Sequence, residues 1–280
     1  MANVCVITGG GSGMGLETAR NIDKDFILVL TGRTAAKLEN AKAILESEGH
    51  EVHVTACDVS VRRDVHELCL LASSLGTIKT VIHAAGLSPA MADPETIIMV
   101  NAVGTKNVNM EFYKYMNDGG VIVDIASSSA YEAPAVLVKH QIYEEAEYEE
   151  EKFIKHMTGE AKMIPGSDYN KSGMAYVMSK NFVVWYAQKC AHEYAAKGIR
   201  VVSVSPGLIE TDMGAREVEQ ADFAKQMIEQ TCAHRMGTPE ELGFAIASIA
   251  DERNGYLCGI DVLIDGGAST GKKFKGKKDK

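Results

Sequence analysis

A glycine-rich turn follows the first apolar segment of the chain. The run Val4-Cys5-Val6-Ile7 leads into Thr8-Gly9-Gly10-Gly11-Ser12-Gly13-Met14-Gly15 and then into a helix-forming segment. A strand that ends in glycines ahead of a helix lets the backbone approach a pyrophosphate, and the helix N-terminus faces its charge. Such turns also occur as plain loops, and this spacing differs from GxGxxG. The position directly after a strand favours a dinucleotide site, with these predicted ligands: Gly9, Gly11, Ser12, Gly13, Met14 and Gly15.

Apolar segments alternate with helical patterns along most of the chain. The predicted strands lie near residues 3–8, 26–31, 51–56, 79–84, 120–126, 199–205 and 259–264. Mostly continuous apolar strands between helices indicate an α/β fold: a single Rossmann-like, doubly wound parallel sheet of about seven strands with helices on both faces. No linker divides the chain, so we expect one domain over residues 1–270.

Charge and cysteine content exclude several classes of protein. The formal charge is −9, and residues 271–280 contribute +5 from six Lys and one Asp, which leaves −14 for the rest. An acidic body argues against nucleic-acid binding, and we expect the Lys-rich tail 271–280 to be disordered. The six cysteines form no CxxC pair, so we expect reduced core residues and no metal site. No apolar run has membrane-spanning length and the first strand leaves no room for a signal peptide, so we expect a cytoplasmic protein.

The end of the second predicted strand bears on the choice of dinucleotide. Sites for NAD usually have a carboxylate there, whereas a nearby Arg suits the 2′-phosphate of NADP. This chain has Gly32 followed by Arg33, which favours NADP(H) over NAD(H), although Arg33 could also be merely solvated. After the third strand, Asp58 and Val59 are placed to frame the adenine, and Asp58 could equally cap the helix that follows.

Two Tyr-x-x-x-Lys patterns are candidates for acid/base chemistry. A phenol has a pKa of roughly 10, so a role near neutral pH needs a nearby cation such as a Lys one helical turn away. Tyr148 and Lys152 lie in a run of glutamates, which would raise the phenol pKa and offset the Lys charge. Tyr176 and Lys180 begin a long and largely uncharged amphipathic segment. This second pair is therefore the predicted catalytic pair.

Together these motifs resemble those of the short-chain dehydrogenases/reductases. The residues that carry the resemblance are the Thr8 to Gly15 turn, Asp58-Val59, His83-Ala84-Ala85-Gly86, Asn101, Ile122-Val123-Asp124-Ile125-Ala126-Ser127, Tyr176 with Lys180, and Ser205-Pro206-Gly207 followed by Thr211. The resemblance covers nearly the whole chain apart from one insertion and the tail. His83 departs from it, because the family usually has Asn there, and we interpret His83 as structural.

The resemblance implies a role for each catalytic candidate. Tyr176 would exchange a proton with the substrate oxygen, and Ser127 would orient that oxygen. Lys180 would lower the Tyr176 pKa and bind the nicotinamide ribose, and Asn101 would hold a water that links Lys180 to solvent. Ser127 could instead satisfy a turn, and Asn101 could be an ordinary helical residue. The implied cofactor contacts are Ala84, Ala85, Gly86, Tyr176, Lys180, Pro206, Gly207, Ile209 and Thr211.

An inserted segment, residues 130–173, separates Ser127 from Tyr176 by 49 positions, many more than the family typically has. Phe153, Ile154, Met157 and Ala161 recur there at helical spacing, which predicts one or two amphipathic helices near the active-site mouth. Their apolar face could pack on its own domain, form a subunit contact, or cover the substrate. Because some hydroxysteroid dehydrogenases of this family carry an enlarged segment here, a steroid is the leading substrate.

Other functions remain open from the sequence. They are reduction or oxidation of another small alcohol, sugar or lipid intermediate, and a nonenzymatic dinucleotide-binding regulator. A sugar-nucleotide epimerase is disfavoured by the short C-terminal part, and an enoyl reductase by the Tyr–Lys spacing. The resemblance also implies a homo-oligomer, either a dimer or a tetramer.

Overall fold

One parallel sheet forms the centre of the molecule. The computed structural model describes residues 2–117, 119–215, 228–229 and 231–274. The strands run in the order β3-β2-β1-β4-β5-β6-β7, with every neighbouring pair parallel. Their bounds are β1 Asn3–Thr8, β2 Phe26–Gly32, β3 Glu51–Ala56, β4 Thr77–His83, β5 Gly120–Ile125, β6 Ile199–Pro206 and β7 Asp261–Ile264. The predicted fold class is confirmed. Strands β1 and β3 match their predicted bounds, and the other five strands differ from theirs by one or two residues.

Helices cover both faces of the sheet. The main helices are α1 Gly13–Asn21, α2 Ala35–Ser47, α3 Arg62–Leu75, α4 Pro94–Ile98, α5 Gly104–Tyr115, α6 His140–Tyr148, α7 Glu150–Lys162, α8 Asp168–Tyr194, α9 Pro239–Ala250 and α10 Ala268–Phe274. A π-helical turn, Met99–Val103, joins α4 to α5, and a 3₁₀ turn, Ser128–Glu132, follows β5. Helices α1, α2 and α9 bury their apolar sides in one core, and α3 to α8 bury theirs in the other. Among the described residues, no helix is both long and apolar enough to cross a membrane.

The strand order fixes where a ligand can enter. Strand β1 has β2 on one side and β4 on the other, so successive crossovers leave from opposite faces at this point. In open parallel sheets such a reversal opens a crevice at the carboxyl ends of the two central strands. The Gly9 turn follows β1, and Ala84-Ala85-Gly86 follows β4. Both segments therefore meet at this crevice.

The inserted segment packs on its own domain. It contains α6 and α7, and its last residues form the first turns of α8. The side chains of Phe153, Met157 and Ala161 are at most 1% exposed. The Phe153 and Tyr143 rings lie 5.1 and 5.4 Å from the Phe182 ring of α8. Of the three open interpretations, the first holds for this apolar face.

The glutamates of the insertion also attach it to the domain. Glu147 accepts hydrogen bonds of 2.8 Å from both the Tyr186 hydroxyl and Lys189 Nζ of α8. Glu150 pairs with Lys106, a buried lysine of α5. The acidic run therefore supplies partners for cations of the main domain and is not merely a solvated surface.

The rejected Tyr-x-x-x-Lys pattern does not form one helical face. Tyr148 ends α6 and is 82% exposed, whereas Lys152 lies in α7 and pairs with Glu145 at 2.9 Å. Glu149 stands between the two helices and breaks the register that would bring the phenol and the ammonium together.

Two expectations need correction. Cys232 and Cys258 are exposed, whereas the other four cysteines are buried: Cys232 lies in a surface turn before α9, and Cys258 lies in the loop before β7. Residues 271–274, predicted to begin the tail, belong to α10 instead. Asp265 accepts the backbone N–H groups of Gly267 and Ser269 at the start of this helix, and Lys272 pairs with Glu132 at 3.0 Å. The rest of the tail lies outside the described residues.

The packing of α7 can be tested by replacing Phe153 with alanine. Removing a fully buried ring leaves a cavity against Phe182, so F153A should lower the free energy of unfolding by about 3–5 kcal/mol. Urea denaturation followed by circular dichroism measures the change. Tyr148→Ala, at an exposed position of the same insertion, serves as control and should change it by less than about 0.5 kcal/mol. Equal effects of the two substitutions would contradict the packing described here.

Candidate active site

The glycine turn after β1 is in direct contact with the end of β4. Gly9 has φ +70°, a conformation that favours glycine, and its N–H donates to Thr31 O at 2.8 Å. A Cβ on Gly9 would lie 2.9 Å from backbone atoms of Ala84 and Ala85. Glycine is therefore required at this position, both by the backbone conformation and by the close approach of the two strand ends.

Helix α1 presents its N-terminus at this turn. A Cβ on Gly15 would collide with the Gly9 carbonyl, so the helix lies directly against the turn. The N-cap is Ser12, whose side chain makes no capping hydrogen bond, and the first helical turn has no acidic residue. The N–H groups at a helix start favour a negatively charged ligand. This geometry fits a pyrophosphate.

A cleft of about 780 Å³ opens at these strand ends. Most of the predicted cofactor residues line it: Gly9, Gly11, Ser12, Gly13, Met14, Gly15, Arg33, Asp58, Val59, Ala84, Ala85, Gly86 and Thr211. Five predicted contacts lie outside its lining: Tyr176, Lys180, Pro206, Gly207 and Ile209. Pro206 ends β6, and Ile209 forms an isolated bridge with Gly237. The lining therefore includes all the predicted pyrophosphate and adenosine contacts and, of the residues predicted near the nicotinamide, Thr211.

The far end of the cleft carries two cations. Arg33 and Lys37 both line it, and Lys37 Nζ lies 3.6 Å from the Asp212 carboxylate across the opening. The sequence analysis missed Lys37. Its position in the first turn of α2, close in sequence to Arg33 before the N-cap Thr34, was the available signal.

Asp58 bonds to its own turn rather than capping α3. Its carboxylate accepts the backbone N–H of Ser60 at 3.0 Å and the Ser60 hydroxyl at 2.6 Å. The residue that precedes α3 is Val61, which offers no side-chain cap. The capping alternative is therefore wrong, and Asp58 remains a cleft residue.

Helix α8 holds Tyr176 and Lys180 on one face. Lys180 Nζ lies 5.8 Å from the centre of the Tyr176 ring and donates to the Ile125 carbonyl at 2.7 Å. Lys180 is 6% exposed, whereas Tyr176 is partly exposed. A Cβ built on Gly86 would lie 3.4 Å from Lys180 Nζ and 3.3 Å from Asn101 Oδ1. Of the predicted catalytic residues, Lys180 and Asn101 thus lie next to the cleft at Gly86.

Asn101 lies in the π-helical turn and ties the loop after β4 to α8. Its Oδ1 accepts the Leu87 N–H at 2.8 Å, and its Nδ2 donates to the Leu87 carbonyl at 3.0 Å and to Ser179 Oγ at 3.2 Å. Isolated π turns in helices are often found at functional sites. Asn101 is therefore no ordinary helical residue, although the sequence analysis missed these contacts. Its part in a water relay stays a prediction.

Ser127 follows β5 and begins the 3₁₀ turn. Its Oγ accepts the N–H of Ser129 at 3.2 Å and the Ser129 hydroxyl at 3.0 Å. The turn-forming alternative therefore holds, and it is compatible with the predicted role. Since Ser127 is the acceptor in both bonds, its own hydrogen is free to be donated to a substrate oxygen.

His83 ties β4 to β1, as expected for a structural residue. Its Nδ1 lies 2.8 Å from Thr8 Oγ1, which itself accepts the Ala85 N–H at 3.1 Å. A single hydrogen bond between the Thr8 hydroxyl and His83 Nδ1 therefore joins the two strands. Burial, and secondly the Lys180 charge, lower the pKa of His83 to about 3. The ring is neutral at physiological pH.

Comparison with protein families matches almost the whole chain. Residues 3–139 match the model described as short chain dehydrogenase, and residues 156–269 match one described as enoyl-(acyl carrier protein) reductase. The chain is 26% identical to short-chain dehydrogenase/reductase bsc3 of Alternaria brassicicola, covering 96% of each chain. It is 27% identical to 3beta-hydroxysteroid dehydrogenase 2 of Eggerthella lenta, covering 94% of each chain.

Solved structures share the fold. Levodione reductase has a TM-score of 0.76 at 24% identity, with 96% of this chain and 98% of that chain covered. An actinorhodin polyketide ketoreductase variant with NADPH has a TM-score of 0.75 at 21% identity, with 95% and 97% covered. Both structures support the described sheet and its helices.

The close approach at Gly9 can be separated from its backbone conformation by a matched pair of substitutions. Gly119 also has a positive φ, +82°, but a Cβ there meets open space. We expect Gly119→Ala to cost about 1–2 kcal/mol from the left-handed conformation alone. Gly9→Ala should cost at least about 1 kcal/mol more, because the methyl group overpacks the strand ends.

Chemical denaturation measures the two stabilities, and isothermal calorimetry with NADPH measures binding. G9A should weaken NADPH binding at least about tenfold, whereas G119A should leave it unchanged. Equal stability losses with unchanged binding would show that the contact between the strand ends does not require glycine at position 9.

Proposed function

Because the chain belongs to the short-chain dehydrogenase/reductase family, we propose that it is an NADP(H)-dependent oxidoreductase that acts on a secondary alcohol or ketone. The observation that carries this proposal is the buried Lys180 ammonium beside Tyr176 on one face of α8. This pair adjoins the glycine-lined cleft through Gly86. An acid/base group therefore lies next to a cleft suited to a dinucleotide.

The proposed chemistry follows from the charges of these groups. A nearby ammonium stabilises phenolate, so Lys180 lowers the pKa of the Tyr176 phenol toward neutrality. Tyr176 then donates its proton to the carbonyl oxygen during reduction and accepts it back during oxidation. Ser127 donates a hydrogen bond to the same oxygen, where negative charge develops. When bound, the nicotinamide supplies or takes up the hydride.

The proposed cofactor contacts divide along the cleft. The glycine turn and the start of α1 would hold the pyrophosphate, and Asp58 with Val59 would frame the adenine. Arg33 and Lys37 would bind the 2′-phosphate. The residues near the nicotinamide would be Pro206, Gly207, Ile209 and Thr211, and Lys180 would bind its ribose. Asn101 would hold the water that links Lys180 to solvent.

A hydroxysteroid or ketosteroid is the proposed substrate. Its support is the full-length similarity to the Eggerthella lenta protein named 3beta-hydroxysteroid dehydrogenase 2. The buried face of the insertion lends no support, because it is used for packing. A smaller alcohol, a sugar or a lipid intermediate is the alternative.

We further propose a cytoplasmic homo-oligomer, either a dimer or a tetramer. Strand β7 forms one edge of the sheet, and Ile260 and Leu263 beside it are 45% and 38% exposed. Edge strands of this kind are usually covered or paired. A second copy of the chain would cover this edge.

The proposed reaction is tested by following NADPH and NADH oxidation with 3-, 7-, 12- and 17-ketosteroids and with small ketones. Tyr176→Phe removes the exchangeable proton and should lower kcat about 10²- to 10⁴-fold while leaving NADPH affinity unchanged. Tyr148→Phe makes the same change in the exposed Tyr-x-x-x-Lys pattern and should have no effect. Wild-type turnover by Y176F would remove the catalytic assignment. Activity on small ketones only would favour the alternative substrates.

The choice of cofactor is tested at Arg33. A charge-assisted bond to phosphate contributes about 1.5–3 kcal/mol, so Arg33→Ala should raise the Kd for NADPH about ten- to 100-fold. The Kd for NADH should change less than about threefold, because NADH has no phosphate at that position. Arg63→Ala, on the exposed side of α3, is the control. Equal weakening of both cofactors by R33A would argue against the phosphate contact.

A further inference from the structure

A buried carboxylate lies in β5, next in sequence to the residue whose carbonyl Lys180 contacts. Asp124 is the fifth residue of β5 and is fully buried. Both of its carboxylate oxygens lie 3.0 Å from Asn109 Nδ2 of α5. The same Nδ2 donates to the Thr105 carbonyl at 3.0 Å, which fixes the orientation of the amide. A neutral N–H group therefore holds the carboxylate in place but does not balance its charge.

The cation that acts on Asp124 is Lys180. Lys180 Nζ donates to the carbonyl of Ile125, the residue that follows Asp124. Burial raises the pKa of the Asp124 carboxyl, whereas the Asn109 hydrogen bond and the Lys180 charge lower it. Burial has the larger effect, and the resulting pKa is about 7. A buried ionised carboxylate is stable only beside an opposite charge. The ionisation of Asp124 is thus coupled to the same ammonium that faces Tyr176.

The other groups around Asp124 carry no compensating charge. His83 of β4 and Ser203 of β6 are its register partners in the sheet, and the His83 ring is neutral. The Ser203 hydroxyl donates to the Asp261 carboxylate of β7 at 2.6 Å and carries no charge itself. From α8, Cys190 and Tyr194 also face Asp124, and burial raises both of their pKa values.

We propose that Asp124 is the counter-charge of Lys180 and sets how strongly Lys180 favours ionisation of the Tyr176 phenol. This inference rests on the proposed function of Tyr176. When Asp124 is ionised, it offsets part of the Lys180 charge, and Tyr176 remains a phenol to higher pH. When Asp124 is protonated, the full Lys180 charge acts on Tyr176. Asp124 acts only through Lys180, so it is a positioning residue and does not contact the substrate.

The test compares Asp124→Asn with the wild-type full-length chain by NMR of ¹³Cζ-labelled tyrosine across pH. The Tyr176 signal is assigned by its loss in Y176F, so the measurement needs no substrate. D124N should lower the Tyr176 titration midpoint by about one pH unit, as expected when one partly buried charge is removed. Asp261→Asn, the same change two strands away, should leave the midpoint unchanged. An unchanged midpoint in D124N, or an equal shift in D261N, would overturn the proposal.

Turnover supplies the second readout. In D124N the acidic limb of the kcat/KM profile for alcohol oxidation should move to lower pH by the same amount, with the substrate KM unchanged. If D124N does not fold, Asn109→Ala is used instead. It removes the hydrogen-bond donor that favours ionised Asp124, so it should also lower the titration midpoint of Tyr176. A shifted Tyr176 midpoint without turnover of any ketone would support this inference while failing the proposed function. Turnover with an unshifted Tyr176 midpoint would support the proposed function and overturn this inference.

Discussion

The contact between the Gly9 turn and the Ala84-Ala85 backbone is the constraint on which the site depends. The ends of β1 and β4 are so close that a Cβ on Gly9 would lie 2.9 Å from backbone atoms of Ala84 and Ala85. Those two strands are neighbours where the crossovers diverge, so the crevice opens there and at no other pair of strand ends in the described sheet. The start of α1 and the loop that Asn101 holds converge on the crevice as a consequence. A bulkier residue at Gly9 would have to displace the Ala84-Ala85 backbone from the turn.

Much of the fold could be predicted because its strands are buried on both faces. Strands such as β1 and β2 then appear as continuous apolar runs, which are bounded by turns and easily located. The predicted catalytic pair, Tyr176 and Lys180, could be distinguished from Tyr148 and Lys152 because the surrounding charges differ. The structure adds that Tyr148 and Lys152 lie in two different helices. The local sequence is therefore sufficient to predict a feature when the interactions that determine it lie within the same segment of the chain.

Contacts between distant segments could not be predicted in the same way. The spacing of Phe153, Met157 and Ala161 indicates a buried helix face, but it cannot reveal whether that face meets α8, another subunit or a substrate. Likewise, nothing near Asn101 in the sequence indicates that its amide binds Leu87 and Ser179. The exposure of Cys232 and Cys258 depends on where surface turns lie in the folded chain. Each of these outcomes is decided by tertiary packing rather than by composition.

The insertion also bears on the proposed chemistry through the helix that it covers. Tyr176 and Lys180 lie in the first half of α8, and their relative position depends on how rigidly that helix is held. On one side α8 packs against the sheet, where Lys180 reaches the Ile125 carbonyl. On the other side Phe153 and Tyr143 pack against Phe182, two residues beyond Lys180, while Glu147 holds Tyr186 and Lys189. A helix fixed on both sides keeps a buried ammonium at a constant distance from a phenol, and a constant distance is what the electrostatic control of a proton transfer requires.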